Sequence, residues 1–97
     1  MANITITRQA SADLKRIWRY IAFDNKAAAT KLLLKIDQKI AQLNEFPASG
    51  SLRVDIRENC RMLVVSGYRV LYEFNEANGN IEVVAVVEPY RDLDEVL

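Results

Sequence analysis

The last third of the chain carries three apolar runs, residues 62–65, 68–74 and 81–87, separated by Ser66-Gly67 and by Glu76-Ala77-Asn78-Gly79-Asn80. Both connections supply the glycine or asparagine that tight hairpin turns require, so the runs predict a three-stranded meander. Upstream, Ile4-Thr5-Ile6-Thr7 is β-branched throughout and predicts a short first strand, with Thr7 placed to cap a helix. That helix begins near Arg8. Its apolar positions Ala10, Leu14, Ile17, Trp18, Ile21 and Ala22 fall on one stripe of 3.6-residue period, with Lys15, Arg16 and Arg19 off it. Asp24 or Asn25 is placed to cap a second helix running to about Glu45, with Ala29, Leu32, Leu33, Ile36, Ile40 and Leu43 as its buried face. A connection of a few residues makes the two helices an antiparallel hairpin. Residues 46–50 read as a loop around Pro47 and Gly50, residues 53–59 as a polar loop or extended segment, and residues 92–97 as at most one turn of helix.

One face of a meander has to be covered, and the helical hairpin is the element available to cover it. The predicted architecture is α+β in the order β-α-α-β-β-β: a twisted, mainly antiparallel sheet packed on an N-terminal helical hairpin, in one domain spanning residues 1–97. A chain that is 51% hydrophobic and 27% charged has the balance of a folded domain. It has no run near the roughly 20 apolar residues of a membrane helix, and Met1-Ala-Asn-Ile-Thr lacks the layout of a signal peptide. A cytoplasmic protein without a membrane partner is expected.

Charge and chemistry narrow the function classes further. The chain has no histidine and one cysteine, Cys60, so Cys–His and Ser–His catalysis are excluded, and neither a metal centre nor a cofactor is expected. Thirteen basic residues balance thirteen acidic ones. The first fifty residues hold eight basic and four acidic side chains, the remainder five and nine. A neutral chain does not carry the overall charge of a nucleic-acid binder, although a local basic face would serve. Arg61 precedes or opens one predicted strand, Arg69 lies early in the next and Arg91 just past the last, where they can bind phosphates or a partner's carboxylates, or serve as ion-pair partners of Glu73, Glu82 and Glu88. Tyr68, Tyr72 and Tyr90 can stack on a base or pack in the sheet. Lys31, Lys35 and Lys39, four residues apart on the second helix, form either a solvated face or an attractor for an acidic partner. Trp18 reads most simply as a core residue between helix and sheet.

Taken in order, Ile6-Thr-Arg-Gln-Ala-Ser-Ala-Asp-Leu-Lys-Arg-Ile-Trp-Arg-Tyr-Ile-Ala22, Phe46-Pro47, Gly50, Arg53, Gly67-Tyr-Arg-Val-Leu-Tyr72 and the segment from Val86 to Leu93 resemble the RelE/ParE superfamily of toxins. The resemblance implies the toxin of a type II toxin–antitoxin pair, held in a hetero-oligomer with a small ParD-like antitoxin that wraps across the hairpin and sheet. RelE-like members cut ribosome-bound mRNA with lysines, arginines and a tyrosine, whereas ParE-like members poison DNA gyrase by binding. Aligned on Gly67-Tyr68-Arg69, the nuclease pattern places its lysines on Cys60 and Met62, its arginines on Arg69 and Arg91, and its C-terminal tyrosine on Leu97. Both lysines and the tyrosine are therefore missing, and no catalytic residue is assigned. The opening helix pattern and Tyr90-Arg91-Asp92-Leu93 look ParE-like, although many ParE relatives have histidine near Glu88. The resemblance thus implies a gyrase poison, with a ribosome-dependent endoribonuclease as the alternative. Arg61, Arg69, Tyr90 and Arg91 are the candidates for target binding, and Trp18, Lys31, Lys35 and Lys39 those for antitoxin binding.

Overall fold

The computed structural model describes residues 3–96. Strand β1 (Asn3–Ile6) leads into helix α1 (Arg8–Ala22), and helix α2 (Lys26–Ala41) runs into a 3₁₀ turn, Gln42–Asn44. Strands β2 (Ser51–Leu52), β3 (Cys60–Val65), β4 (Tyr68–Asn75) and β5 (Asn80–Val87) follow, and a short helix α3 (Leu93–Val96) closes the chain. The sheet order is β1-β5-β4-β3-β2. All pairings are antiparallel except that of β1 with β5.

The local signals act as expected at the helix starts. Thr7 Oγ1 accepts the Ala10 amide at 3.2 Å, and Asn25 Oδ1 accepts the Ala28 amide at 3.0 Å, so each side chain satisfies a backbone donor that its helix leaves free. Ser66 and Gly67 both take positive φ, 51° and 83°, the left-handed pair that a two-residue hairpin needs to match strand twist. Two details differ from the sequence reading. The second helix stops at Ala41 and tightens into the 3₁₀ turn, and Ser51-Leu52 adds a fifth strand against Met62 and Arg61. Two residues are too few for a periodic signal.

The core lies between the helical hairpin and the sheet, where Ala10, Ile17, Ile36, Ile40 and Leu43 meet Leu63, Val65, Val70, Tyr72, Ile81, Val83 and Val86. The sheet's other face is covered too: Cys60, Leu71, Ala85 and Val87 form a second small cluster under Ile56 and Leu93. The polar 53–59 loop and the C-terminal turn therefore each contribute one apolar side chain as a lid. Trp18 lies outside the helix–sheet core, at the outer seam of α1 and α2, where its Nε1 donates to Thr30 Oγ1 at 3.5 Å. Burial pushes the Cys60 thiol above its ordinary pKa, which keeps it protonated and unreactive.

Tyr72 is fully buried. Its hydroxyl donates to Pro47 O at 2.8 Å and accepts the Gly50 amide at 2.9 Å. Arg61, opposite Tyr72 in register, donates to Ala48 O at 3.1 Å and Gly50 O at 2.9 Å. Together they fasten the 46–50 loop to the sheet. A Cβ on Gly50 would stand 2.7 Å from Tyr72 Cε1 and 2.8 Å from its hydroxyl, closer than van der Waals contact permits. Urea denaturation is therefore expected to show Gly50→Ala losing about 1–3 kcal/mol. Tyr72→Phe, which strands the Gly50 amide, should lose about 1–2 kcal/mol.

Candidate functional site

Strand β5 contains a bulge. Leu71 pairs with Ala85 but Tyr72 pairs with Val83, so Val84 is an extra residue. Ile81 and Val83 face the helices; beyond the bulge that role passes to Val86, while Ala85 and Val87 join the opposite cluster. The shifted alternation also turns Glu88 toward α1.

Strand β1 ends at Ile6, opposite Val83, so the next stretch of β5 has no strand on that side, β4 lying on the other. The start of α1 takes its place. The Thr7 amide donates to Val83 O at 3.1 Å, Thr7 Oγ1 donates to Val84 O at 3.3 Å, and Asp13 Oδ2 accepts the Val86 amide at 3.0 Å. Asp13 is only 2% exposed, and its other oxygen accepts from Gln9 Nε2 and Arg16 Nη1, each at 2.8 Å. A buried carboxylate is tolerable on those terms: a guanidinium balances it and both oxygens are bonded.

Arg16 continues the chain of contacts. Its Nε and Nη2 both donate to the Glu88 carboxylate at 3.0 Å, a bidentate pair, and Arg91 Nη1 reaches the same carboxylate at 3.4 Å. Glu88 is 5% exposed. Burial pushes its carboxyl up, but the hydrogen bond from Arg16, with those from the backbone and Arg91, outweighs burial and leaves its pKa below the ordinary 4.5. The Arg16 guanidinium is held above its usual range, first by Glu88 and then by Asp13. From the other face, Arg69 Nη2 donates to Glu88 O at 2.7 Å and also to Arg91 O. The segment 88–91 is thus gripped from both sides of the sheet.

Tyr90 projects from this held segment, 68% exposed, with its ring centroid 6.5 Å from that of Tyr20 on α1. Tyr68 lies half-buried nearby; burial raises its pKa, and Tyr90 and Glu88 add to the effect. A groove of about 550 Å³ beside the bulge is lined by Arg16, Arg57 and Arg91 and by Asp13, Glu82 and Glu95. Its charges balance.

The structure therefore brings Arg69, Tyr90 and Arg91 together and separates Arg61, which faces the helix side of β3 and holds the 46–50 loop. Lys31 and Lys35 are exposed on α2, Lys39 is half-buried, and Trp18 lines a shallow groove of about 240 Å³ with Leu14, Leu33, Lys15 and Arg19. Cys60 and Met62, where the nuclease pattern has lysines, belong to the second apolar cluster. Leu97 lies outside the described residues. Sequence reasoning missed Asp13, Arg16 and Tyr20. Their signal is the spacing Gln9, Asp13, Arg16, Tyr20, which repeats every three or four residues and lines one flank of α1.

A family model described as the ParE toxin of the type II toxin–antitoxin system, parDE, matches residues 4–92. The chain belongs to that family. Among solved structures, a chromosomal ParDE toxin–antitoxin system from P. aeruginosa is similar, with a TM-score of 0.73 and 20% identity over 91% of this chain and 96% of that one. The isolated E. coli RelE toxin matches with a TM-score of 0.63 and 15% identity, over 97% of this chain and 90% of its own. The intact E. coli RelBE toxin–antitoxin complex matches at 0.57 and 14%, over 92% and 98%. These likenesses show a shared fold. A search of curated proteins finds no significant match. No helix among the described residues is long and apolar enough to cross a membrane.

Asp13→Ala in this ParE-family toxin leaves the buried Val86 amide unpaired and is expected to cost about 1–3 kcal/mol in chemical denaturation. Because the folded-state pKa of Glu88 is depressed, its ionised form stabilises the fold fully above the ordinary 4.5, and that stability is lost as pH falls through the lower folded value. Glu88→Gln should lower Tm near neutral pH, with the gap to wild type closing below about pH 4.5.

Proposed function

We propose that this toxin acts in the cytoplasm by binding DNA gyrase rather than by cutting RNA, and that a cognate antitoxin neutralises it in a hetero-oligomer. The observation that carries the choice is the fate of the two positions where the RelE-like pattern has lysines. Cys60 is fully buried, and it and Met62 pack with Leu71, Ala85 and Val87, so neither side chain carries a positive charge; the guanidinium that reaches Met62 Sδ, that of Arg53 at 3.5 Å, is already paired with Asp55. Ribonucleolytic transfer requires groups that take a proton from the 2′-hydroxyl, stabilise the charged phosphate and protonate the leaving oxygen. Arg69, which the same pattern would use, instead donates to two backbone carbonyls.

A binding poison needs only a complementary, pre-formed surface. Tyr90 and Arg91, presented by a segment tied down on both faces, supply the exposed part of it, and Arg69 holds that segment in place. Arg61, whose guanidinium holds the 46–50 loop, stands apart from this surface and is assigned no contact with gyrase.

The antitoxin would lay an acidic, apolar-faced segment along the hairpin. Leu14, Trp18 and Leu33 form the floor of its groove, and Lys15 and Arg19 line it. Lys31, Lys35 and Lys39 add positive charge along α2. The related solved structures are described as a ParDE system and a RelBE toxin–antitoxin complex, which is the arrangement carried over here.

Antitoxin-free protein mixed with gyrase, ATP and plasmid is expected to abolish supercoiling and trap cleaved DNA, and Arg91→Ala to lose both effects by about tenfold or more. Unaltered supercoiling at high toxin concentration would remove gyrase as the target. Trp18→Ala is expected to weaken antitoxin binding by at least about tenfold. Combined alanines at Lys31, Lys35 and Lys39 should weaken it at low salt and progressively less as salt is added. Unchanged low-salt affinity of that triple variant would discard the electrostatic role.

A further inference from the structure

Tyr20 is 71% exposed on α1 and Tyr90 68% exposed on the C-terminal segment, yet their rings lie 6.5 Å apart, tilted by 48°. They come from opposite ends of the chain, and nothing in the core requires them to meet. Arg16, one turn before Tyr20, pairs with Glu88, two residues before Tyr90, and so fixes α1 to the start of the C-terminal segment. Phe23, one turn beyond Tyr20, is almost wholly exposed as well. Large aromatic bodies left in water, one of them next to Arg91 in sequence, have the composition that dominates binding energy at protein interfaces, where Tyr, Trp and Arg are enriched among the decisive residues.

We propose that Tyr20 and Tyr90 form one composite contact, assembled from α1 and the C-terminal segment, through which this toxin grips a protein surface on gyrase. This rests on the gyrase reading above and deepens it by naming a residue on a different element. Charge favours a protein surface over the DNA that gyrase holds. Asp13 and Glu88 already neutralise Arg16, Glu88 also pairs with Arg91, and Asp92, Asp94 and Glu95 follow in the next turn. A phosphate backbone would meet no net positive charge there. An apolar pocket with hydrogen-bond acceptors at its rim would accept two tyrosine rings and their hydroxyls, with an acidic group opposite Arg91.

The test compares supercoiling inhibition by wild type, Tyr20→Ala, Tyr20→Phe, Tyr90→Ala and Phe46→Ala, with thermal unfolding of each variant to confirm the fold. Tyr20→Ala and Tyr90→Ala should each raise the half-inhibitory concentration by at least about tenfold. Tyr20→Phe, which keeps the ring, should stay within about threefold of wild type. Phe46→Ala removes an exposed aromatic on the 46–50 loop and should be unchanged. Wild-type protein that leaves supercoiling intact overturns the gyrase reading and this surface with it. Wild-type inhibition with an equally potent, folded Tyr20→Ala variant overturns this surface alone, as does an equal loss in Phe46→Ala. Fluorescence anisotropy with duplex DNA and no gyrase supplies the remaining outcome: toxin–DNA binding that Tyr20→Ala abolishes would make nucleic acid the occupant and overturn the proposal.

Discussion

The structure depends on one irregularity, the extra residue at Val84. A bulge disrupts the ladder and reverses which side chains face the helices. Here it does both at the point where β1 has ended and β5 has no strand neighbour on that side. Two backbone groups there, Val84 O and Val86 N, would be costly to bury unpaired. Thr7 and Asp13 meet them, so the same turns of α1 that pack Ala10 and Ile17 into the core also complete the sheet edge. Without the bulge, Val86 and Glu88 would point away from α1, and Arg16 would keep Asp13 but lose Glu88.

From this edge the order extends outward. Asp13 bonds Arg16, Arg16 bonds Glu88, and Glu88 bonds Arg91, a sequence of contacts that leaves the core and ends at an exposed surface. A buried acid with guanidinium partners is weak evidence for stability, because desolvation offsets much of the attraction. Its value here is geometric. Bidentate bonds from Arg16, with Arg69 holding the main chain from the opposite face, define the path of residues 88–91 more closely than apolar contacts alone would.

Much of the fold was legible in the sequence because its signals are local: Thr7 and Asn25 as caps, the apolar stripes of α1 and α2, and the left-handed Ser66-Gly67 turn. What escaped depends on contacts distant in sequence. The run from Ile81 to Val87 is apolar at nearly every position because both faces of β5 are covered, so the alternation that would betray a bulge is absent. Asp13 and Arg16 read as polar residues flanking an amphipathic stripe, and only the partner seventy-odd residues away shows that one is buried. Trp18 is the converse case. Its place on the stripe is right, but the stripe is wide enough that its edge faces the groove between the helices rather than the sheet.

The candidate site was legible in identity more than in role. Four residues were singled out for target binding, and the contacts of two, Arg61 and Arg69, are with backbone carbonyls of the 46–50 loop and the 88–91 segment. A guanidinium that closes a loop in this way is not free to move with a reacting phosphate. Rigidity of this kind suits association better than chemistry. A surface held in its bound shape loses little conformational freedom on docking, so more of the contact energy appears as affinity. On the gyrase proposal, Arg69 is the arginine that holds Tyr90 and Arg91 in place, and the three would act as one binding device.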